Sequence, residues 1–204
     1  MSKFYVVWKG RKTGVFSTWA ECSAQVSGYS GAKYKSFPNR AFAEKAFQGD
    51  YADYQGQNVQ NQAWLFAVNG PKLDTCSVDA ACSGNPGTVE YRGVRTETGA
   101  EIFRQGPFAH GTNNIGEFLA LVHALALFKK QGDPITIYSD SKIAMGWVRK
   151  KKCGTNLSPS GKNAKLFELI KKAENWLREN EYPNKIIKWD TEAWGEIPAD
   201  FGRK

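Results

Sequence analysis

The fold of most of this chain is decided by residues 75–94, which read TCSVDAACSGNPGTVEYRGV. Thr75–Ala81 and Thr88–Val94 have the β-branched and apolar character of strands, and Gly84-Asn85-Pro86-Gly87 between them predicts a turn. A further strand is predicted over Glu101–Phe108. Three consecutive strands joined by short turns indicate the beginning of one sheet.

Downstream, helices and strands alternate. Apolar residues recur at helical spacing from 114 to 130, and Ile135–Tyr138 is typical of a short buried strand. Helices are predicted over Lys142–Lys150 and Lys162–Asn180, followed by a strand over Lys185–Trp189. This order predicts an α/β domain over residues 73–204, with a mixed five-stranded sheet flanked by helices.

A different composition precedes this domain. Residues 1–47 interleave aromatic residues with Lys and Arg, and their pattern predicts a small α+β module. Its predicted strands are Lys3–Trp8, Val15–Trp19 and Lys33–Phe37. Its predicted helices are Ala20–Val26 and a second helix that is capped by Asn39 and ends at Phe47. Residues 48–72 begin with a stretch rich in Gln, Asn, Asp and Gly, which predicts a flexible linker.

The charge of the chain is concentrated in this first module. The 204 residues carry a net charge of +8, of which residues 1–47 contribute +6, residues 48–72 contribute −1 and residues 73–204 contribute +3. A compact basic segment favours binding to a polyanion such as nucleic acid, although solubility alone is the alternative explanation.

Cellular location is constrained by what the sequence lacks. No apolar run approaches the roughly 18 residues that cross a bilayer, so we expect no association with a membrane. The cysteines lie far apart and show no paired spacing, which predicts free thiols in the cytoplasm. They are Cys22, Cys76, Cys82 and Cys153.

Four carboxylates stand out. Asp79 lies inside a predicted strand, where Asp is disfavoured and where burial demands a cation or a dense set of hydrogen bonds. Glu117 and Asp140 each have a structural explanation as an alternative to a functional one. Glu117 could form a capping box with Asn114, and Asp140 could be the N-cap of the helix that follows it. Asp200 is predicted on a terminal helix, where a plain surface acid is the alternative.

Together these four side chains predict a metal site at one edge of the sheet. Clustered carboxylates repel one another unless cations lie between them. A ligand set of oxygen atoms alone favours Mg²⁺ or Mn²⁺ over zinc.

The motifs around these residues resemble those of the type 1 ribonuclease H catalytic domain, across essentially all of residues 73–204. They are Asp79 followed by Gly84-Asn85-Pro86-Gly87, Thr112-Asn113-Asn114-x-x-Glu117, Tyr138-Ser139-Asp140-Ser141 and Ala199-Asp200. The C-terminal stretch from Trp194 to Lys204 is most similar to a bacterial subgroup. Separately, Phe4 to Phe16 and Thr18-Trp19-x-Glu21-Cys22 resemble the family's N-terminal hybrid-binding domain.

The resemblance implies an endonuclease that hydrolyses the RNA strand of RNA/DNA hybrids and leaves 5′-phosphate and 3′-hydroxyl ends. Asp79, Glu117, Asp140 and Asp200 match its metal-binding carboxylates, which hold two Mg²⁺ or Mn²⁺ ions about 4 Å apart around the scissile phosphate. Many members have a histidine before the last aspartate, whereas this chain has Glu196 there, matching a glutamate tied to the second metal in the bacterial subgroup.

The resemblance also implies substrate contacts. Near the RNA strand it places Cys82, Ser83, Gly84, Asn85, Asn113 and Asn114, and around a DNA phosphate it places Thr112, Asn114, Thr155 and Thr191. In the N-terminal module, Trp19 and Tyr34 match residues that pack on DNA sugars, with Tyr5 and Lys35 near phosphates, although Trp19 alone is also consistent with a core residue. Two alternatives remain open: a non-catalytic hybrid-binding protein and a related polynucleotidyl transferase. We expect a monomer.

Overall fold

The structure is a computed structural model that describes residues 3–38, 40–55 and 70–202. The chain divides into two compact units: of the described residues, the first contains those up to 71 together with 192–195, and the second contains 72–191 and 196–202. Among the described residues, no helix is both long and apolar enough to cross a membrane.

The first unit is an antiparallel three-stranded sheet with two helices. Strand β1 (Phe4–Lys9) lies between β2 (Gly14–Phe16) and β3 (Lys33–Phe37). Helix α1 spans Trp19–Val26 and helix α2 spans Arg40–Gln48. Because side chains alternate along a strand, β1 contributes to two clusters. Val6 packs with Phe37 and Phe42, whereas Val7 packs with Cys22 and Val26.

The second strand ends earlier than the sequence pattern predicts. Strand β2 stops at Phe16 because Thr18 begins helix α1 with a capping box. The Glu21 amide donates to Thr18 Oγ1 at 3.2 Å, and the Thr18 amide donates to the Glu21 carboxylate at 3.0 Å. Trp19 is therefore the first residue of the helix rather than the last of a strand. Asn39, the predicted cap of the next helix, lies outside the described residues.

Packing in this unit continues into the first part of the predicted linker. A 3₁₀ helix spans Tyr51–Asp53, and the Trp8 ring stacks on Tyr54 at 5.8 Å between centroids. Trp8 Nε1 donates to the carbonyls of Ala46 and Gly49 at 3.1 and 2.9 Å. Residues 56–69 of the predicted linker lie outside the described residues, and the limits of the domains stay predictions.

The second unit is built on a five-stranded mixed sheet, as predicted. Its order is β6-β5-β4-β7-β8; β4 pairs antiparallel with β5 and parallel with β7. Helix α3 packs on β4 and β5, and helices α4 and α5 pack against α3. The strands are β4 (Cys76–Cys82), β5 (Gly87–Arg95), β6 (Glu101–Gly111), β7 (Ile137–Ser139) and β8 (Ile186–Lys188); the helices are α3 (Asn113–Gln131), α4 (Lys142–Arg149) and α5 (Ala164–Glu179).

The end of the chain differs from the prediction. The last helix, α6, spans only Thr191–Trp194, so the expected terminal helix around Asp200 is wrong. Gly195 follows the helix with φ +78°, a left-handed conformation that commonly ends helices. Pro198, which lacks a backbone donor, also disfavours continuation. Asp200 instead lies in a turn in which its amide donates to the Ile197 carbonyl at 2.8 Å.

Candidate metal centre and substrate groove

Asp79 and Asp140 are brought together by the parallel pairing of two strands. In the register of β4 and β7, Cys76 lies beside Ile137 and Ser77 beside Tyr138. Extending that register by two residues places Asp140, directly after β7, beside Asp79 within β4. Asp79 is only 7% exposed, which confirms the burial that its position in a strand predicted.

Glu117 reaches the same place through the close approach of helix α3 to the sheet. A Cβ atom on Gly116 would lie 2.6 Å from the Cβ of Ala80, so only glycine permits this contact. The neighbouring Glu117 is thereby held beside β4 and is 8% exposed. Its Oε1 accepts a hydrogen bond from Asn113 Nδ2 at 3.0 Å, which orients the carboxylate.

The capping explanations for Glu117 and Asp140 are both wrong. The N-cap of α3 is Thr112 rather than Asn114, and no side chain makes a capping hydrogen bond there. The N-cap of α4 is Ser141, whose Oγ accepts from the Ala144 amide at 3.1 Å. Neither carboxylate is occupied by capping a helix, so each is available for another partner.

Three carboxylates form a compact cluster. One oxygen each of Asp79, Glu117 and Asp140 can be chosen so that all three lie within 4.8 Å of one another. Glu117 Oε2 and Asp140 Oδ1 are buried without a hydrogen-bond partner. Buried acceptors of this kind are costly unless a cation or a donor satisfies them. The oxygen-only donor set therefore fits a hard divalent cation.

The electrostatics of the cluster agree with this assignment. Burial, followed by the charge of Asp140, raises the pKa of Asp79 to about 8. Burial also raises the pKa of Glu117, although the nearby Ser141 hydroxyl and the Asn113 amide oppose the rise. For Asp140, burial again raises the pKa, while the positive charge of Lys188 lowers it. Without a cation, burial thus favours the protonated form of each of these carboxyl groups more than water does.

Asp200 borders the same cavity from the C-terminal segment. The cavity has a volume of about 350 Å³, and Asp79, Glu117, Asp140 and Asp200 all line it. Asp200 Oδ2 accepts from the Gly202 amide at 2.8 Å. The charges of Asp200 and Glu196 both act to raise the pKa of Asp140, which places the two acids within electrostatic range of the cluster.

A second cavity, of about 510 Å³, contains most of the side chains expected to contact substrate. Cys82 and Asn113 line both cavities, whereas Ser83 lines only the acidic one and Thr191 lines neither. The tight turn at its edge requires glycine at position 87, where a Cβ atom would lie 2.8 Å from the Gly84 Cα. The expected residues lining the larger cavity are Cys82, Gly84, Asn85, Thr112, Asn113, Asn114 and Thr155.

In the first unit, three aromatic side chains form a surface cluster. The Trp19 ring lies 5.5 Å from Tyr5 and 5.8 Å from Tyr34, measured between centroids. Trp19 is 48% exposed and Tyr34 is 41% exposed, so the explanation of Trp19 as a core residue is wrong. Lys35 Nζ donates to the Tyr54 carbonyl at 2.6 Å, which directs this cation toward the backbone.

Some site residues were not anticipated from the sequence. Phe201 lines the acidic cavity, and Trp147 lines the larger one. Arg92 contacts the backbone that carries Asp200, from more than 100 positions earlier in the chain. In principle Arg92 could have been found because it lies opposite the buried Asp79 on the neighbouring strand. That pairing is known only once the strand register is known.

Comparisons with known proteins match both units. The family model described as "Ribonuclease H1 N-terminal domain" matches residues 3–47, and the model described as "RNase H" matches residues 73–187, more than half of the chain. A Ribonuclease H of Schizosaccharomyces pombe is 24% identical over 252 residues, with 97% of this chain and 94% of that protein covered.

Two further similar proteins, a curated relative and a solved structure, match over a smaller share of this chain or of their own length. A Ribonuclease H1 of Rattus norvegicus is 26% identical over 160 residues, covering 76% of this chain and 47% of the rat protein. The chain thus spans about half the length of that relative. Among solved structures, LC11-RNase H1 from compost, in complex with an RNA/DNA hybrid, is 20% identical with a TM-score of 0.38, covering 58% of this chain and 86% of that one.

Proposed function

The chain belongs to the ribonuclease H family, and from this premise we propose that it is an endonuclease that hydrolyses the RNA strand of RNA/DNA hybrids. The observation that carries the proposal is the buried cluster of Asp79, Glu117 and Asp140 beside a polar groove. Two carboxylate oxygens in it lack a hydrogen-bond partner, as expected where a cation completes the site.

We propose that Asp79, Glu117, Asp140 and Asp200 hold two Mg²⁺ ions, with Mn²⁺ as the alternative ion and Glu196 acting on the second. When bound, such ions supply Lewis-acid stabilisation of the phosphate charge and lower the pKa of an attacking water. The protein's part is to orient the carboxylates toward the site. Asn113 does so for Glu117, because its amide occupies one oxygen and leaves the other free of protein donors.

The groove supports a preference for RNA on the cut strand. Only RNA offers a 2′-hydroxyl, which donates and accepts hydrogen bonds. We propose that Asn85, Asn113, Asn114 and the backbone of Cys82, Ser83 and Gly84 read it next to the metal centre. Cleavage would leave 5′-phosphate and 3′-hydroxyl ends.

The partner DNA strand is proposed to be held at a separate point of the groove. Thr112, Asn114 and Thr155 line the same cavity and offer hydroxyl and amide donors for a phosphate. We include Thr191 as a fourth contact by family resemblance alone. The distance between the phosphate contact and the carboxylates would set which RNA phosphate is cut.

The first unit is proposed to anchor the hybrid. Exposed aromatic rings stack on sugars and bases in a sequence-tolerant way, and Trp19 and Tyr34 present such rings, with the half-buried Tyr5 packed beside Trp19. Lys35 is proposed to lie near a phosphate. The +6 balance of residues 1–47 would strengthen the contact electrostatically and make it sensitive to salt.

We also propose a cellular location for the protein. All four cysteines are free, in agreement with a reducing compartment such as the cytoplasm. The monomeric state and the membership of a bacterial subgroup stay predictions.

The deciding experiment incubates the protein and Mg²⁺ with a labelled RNA/DNA hybrid, beside single-stranded RNA, duplex RNA and duplex DNA. We expect cleavage of the hybrid RNA alone. The matched control is Asp140→Asn, which keeps the size of the side chain and removes its charge. Binding without cleavage by the unaltered protein would favour a non-catalytic hybrid-binding protein, and cleavage of duplex DNA would favour a related polynucleotidyl transferase.

A further inference from the structure

Asp200 differs from the other three acids in how the fold holds it. Asp79 lies within a strand, Asp140 directly follows one, and Glu117 is in the first turns of a long helix. Asp200 lies in a segment that follows the short helix α6 and has no regular structure beyond one turn. Its position at the metal centre therefore requires a contact from elsewhere in the unit.

Arg92 of strand β5 makes that contact. Arg92 Nε donates to the carbonyl of Ala199 at 2.8 Å, and Arg92 Nη2 donates to the carbonyl of Asp200 at 2.6 Å. A guanidinium group is a rigid planar fork, so two hydrogen bonds to consecutive carbonyls determine both the position and the direction of the backbone. Ala199 is fully buried, so the contact lies at a buried point of the segment.

The strand register explains why Arg92 delivers Asp200 to the right face of the sheet. Arg92 lies directly opposite Asp79 in the pairing of β4 with β5. Directly opposed residues project their side chains to the same face. The guanidinium that grips the C-terminal segment therefore lies on the same face as the Asp79 carboxylate.

The residue after Asp200 adds a second contact to the same guanidinium. The Arg92 guanidinium carbon lies 4.7 Å from the centroid of the Phe201 ring, within the range of a cation–π interaction. Arg104, opposite Arg92 on β6, lies 5.3 Å from the same ring and forms an ion pair with Glu90. Arg104 touches the ring but makes neither of the two hydrogen bonds to the Ala199 and Asp200 carbonyls, which come from Arg92.

We propose that Arg92 is a positioning residue that holds the segment Ala199–Phe201 so that the Asp200 carboxylate completes the metal centre. The inference rests on the proposed function, since it assigns Asp200 a role in metal binding. It adds a residue 108 positions before Asp200, one that touches neither the metal nor the substrate in this role. Its effect passes through the backbone of Asp200.

The test compares three variants of the full chain. Arg92→Gln removes the fork and the charge, and Arg92→Lys keeps the charge but cannot form two parallel hydrogen bonds. Arg104→Gln is the matched control, because it removes a neighbouring guanidinium that contacts the same ring. Circular dichroism verifies that each variant folds, and Arg92→Lys carries the test if Arg92→Gln does not fold.

Two readouts are measured. In hybrid cleavage, the Mg²⁺ concentration for half-maximal rate should rise about 10- to 100-fold for Arg92→Gln, the usual effect of losing a group that orients a metal ligand. It should rise less for Arg92→Lys, while Arg104→Gln stays within about twofold of the unaltered protein and KM for the hybrid changes little. In the metal-free protein, hydrogen exchange of the Asp200 and Gly202 amides should become faster in the Arg92 variants alone.

Unchanged Mg²⁺ dependence together with unchanged exchange in both Arg92 variants would overturn the inference. A raised KM for the hybrid with normal Mg²⁺ dependence would also overturn it, because Arg92 would then contact substrate. If Arg104→Gln had an equal effect, the positive charge of the two arginines, rather than the two hydrogen bonds of Arg92, would hold the segment. If the unaltered protein cut no hybrid, the proposed function would fail, while the exchange measurement would still decide whether Arg92 holds the segment.

Discussion

Replacement of Asp79 by asparagine should stabilise the metal-free protein while it destroys the metal site. The folded state raises the pKa of Asp79 from 3.8 to about 8, chiefly through burial and the neighbouring Asp140 charge. A raised pKa means that the folded protein prefers the protonated carboxyl group. The stability due to this preference is complete below about pH 4 and is lost as the pH rises toward 8.

The size of the effect follows from the same shift. At pH 7 the unfolded chain has an ionised Asp79, whereas the folded state must either keep a proton or bury a charge. About three pKa units separate pH 7 from 3.8, and each unit corresponds to about 1.4 kcal/mol. The amide side chain of the Asp79→Asn variant cannot ionise, so this variant should be more stable by on the order of 4 kcal/mol at pH 7.

The assay is thermal unfolding with a chelator at pH 4 and at pH 7, followed by unfolding at pH 7 with Mg²⁺. In a unit of this size, about 4 kcal/mol corresponds to a rise in Tm of roughly 10 °C. We expect that rise at pH 7 and almost none at pH 4. Mg²⁺ should then raise the Tm of the unaltered protein and have little effect on Asp79→Asn.

The control is Asp74→Asn, which makes the same chemical change at a fully exposed side chain. It should leave Tm nearly unchanged at both pH values. The reasoning is refuted if Asp79→Asn is less stable than the unaltered protein at pH 7 without metal. A gain of equal size at pH 4 and pH 7 would also refute it, because ionisation could not be the cause.

The remaining predictions concern catalysis, packing and substrate binding. Asp140→Asn should nearly abolish cleavage while hybrid binding, measured by fluorescence anisotropy, persists; turnover close to that of the unaltered protein would contradict the metal assignment. Gly116→Ala should destabilise the second unit by about 1–3 kcal/mol in urea unfolding, because the added methyl group meets Ala80 at 2.6 Å. Gly146→Ala is the control and should not destabilise it, because the space around Gly146 is open. Trp19→Ala should weaken hybrid binding about tenfold without lowering Tm, since the ring is 48% exposed; unchanged affinity would remove Trp19 from the binding surface. A run of 2′-O-methyl nucleotides in the RNA should stop cleavage within the run and leave cleavage several positions away intact, as mapped by gel electrophoresis; efficient cutting inside the run would argue against readout of the 2′-hydroxyl.

Much of the site was predictable because its signals are local. Asp79 in an apolar strand signals a buried carboxylate, and its 7% exposure confirms the burial. The Gly84–Gly87 turn and the periodicity of α3 each depend on a few consecutive residues. Local propensity and hydrophobic period are properties of such short windows, so one chain suffices to detect them.

Capping was less well predicted, although it too is local. Asn114 and Asp140 have the right residue types for N-caps, yet the N-caps of helices α3 and α4 are Thr112 and Ser141. The missed capping box of Thr18 with Glu21 shifted a predicted strand end by three residues. Several residues near a helix start can act as the cap, and packing of the helix on the sheet selects among them.

The amino-acid sequence by itself determined which side chains are candidates for the chemistry and which secondary structures hold most of them. Tertiary structure alone decided their distances, since Asp79, Glu117 and Asp140 meet only through strand register and the approach of α3 at Gly116. It also decided how Asp200 is held, through Arg92 rather than through a helix. The physical reason is that pairing and packing join residues tens to more than a hundred positions apart, and no short window of sequence contains both partners of such a contact.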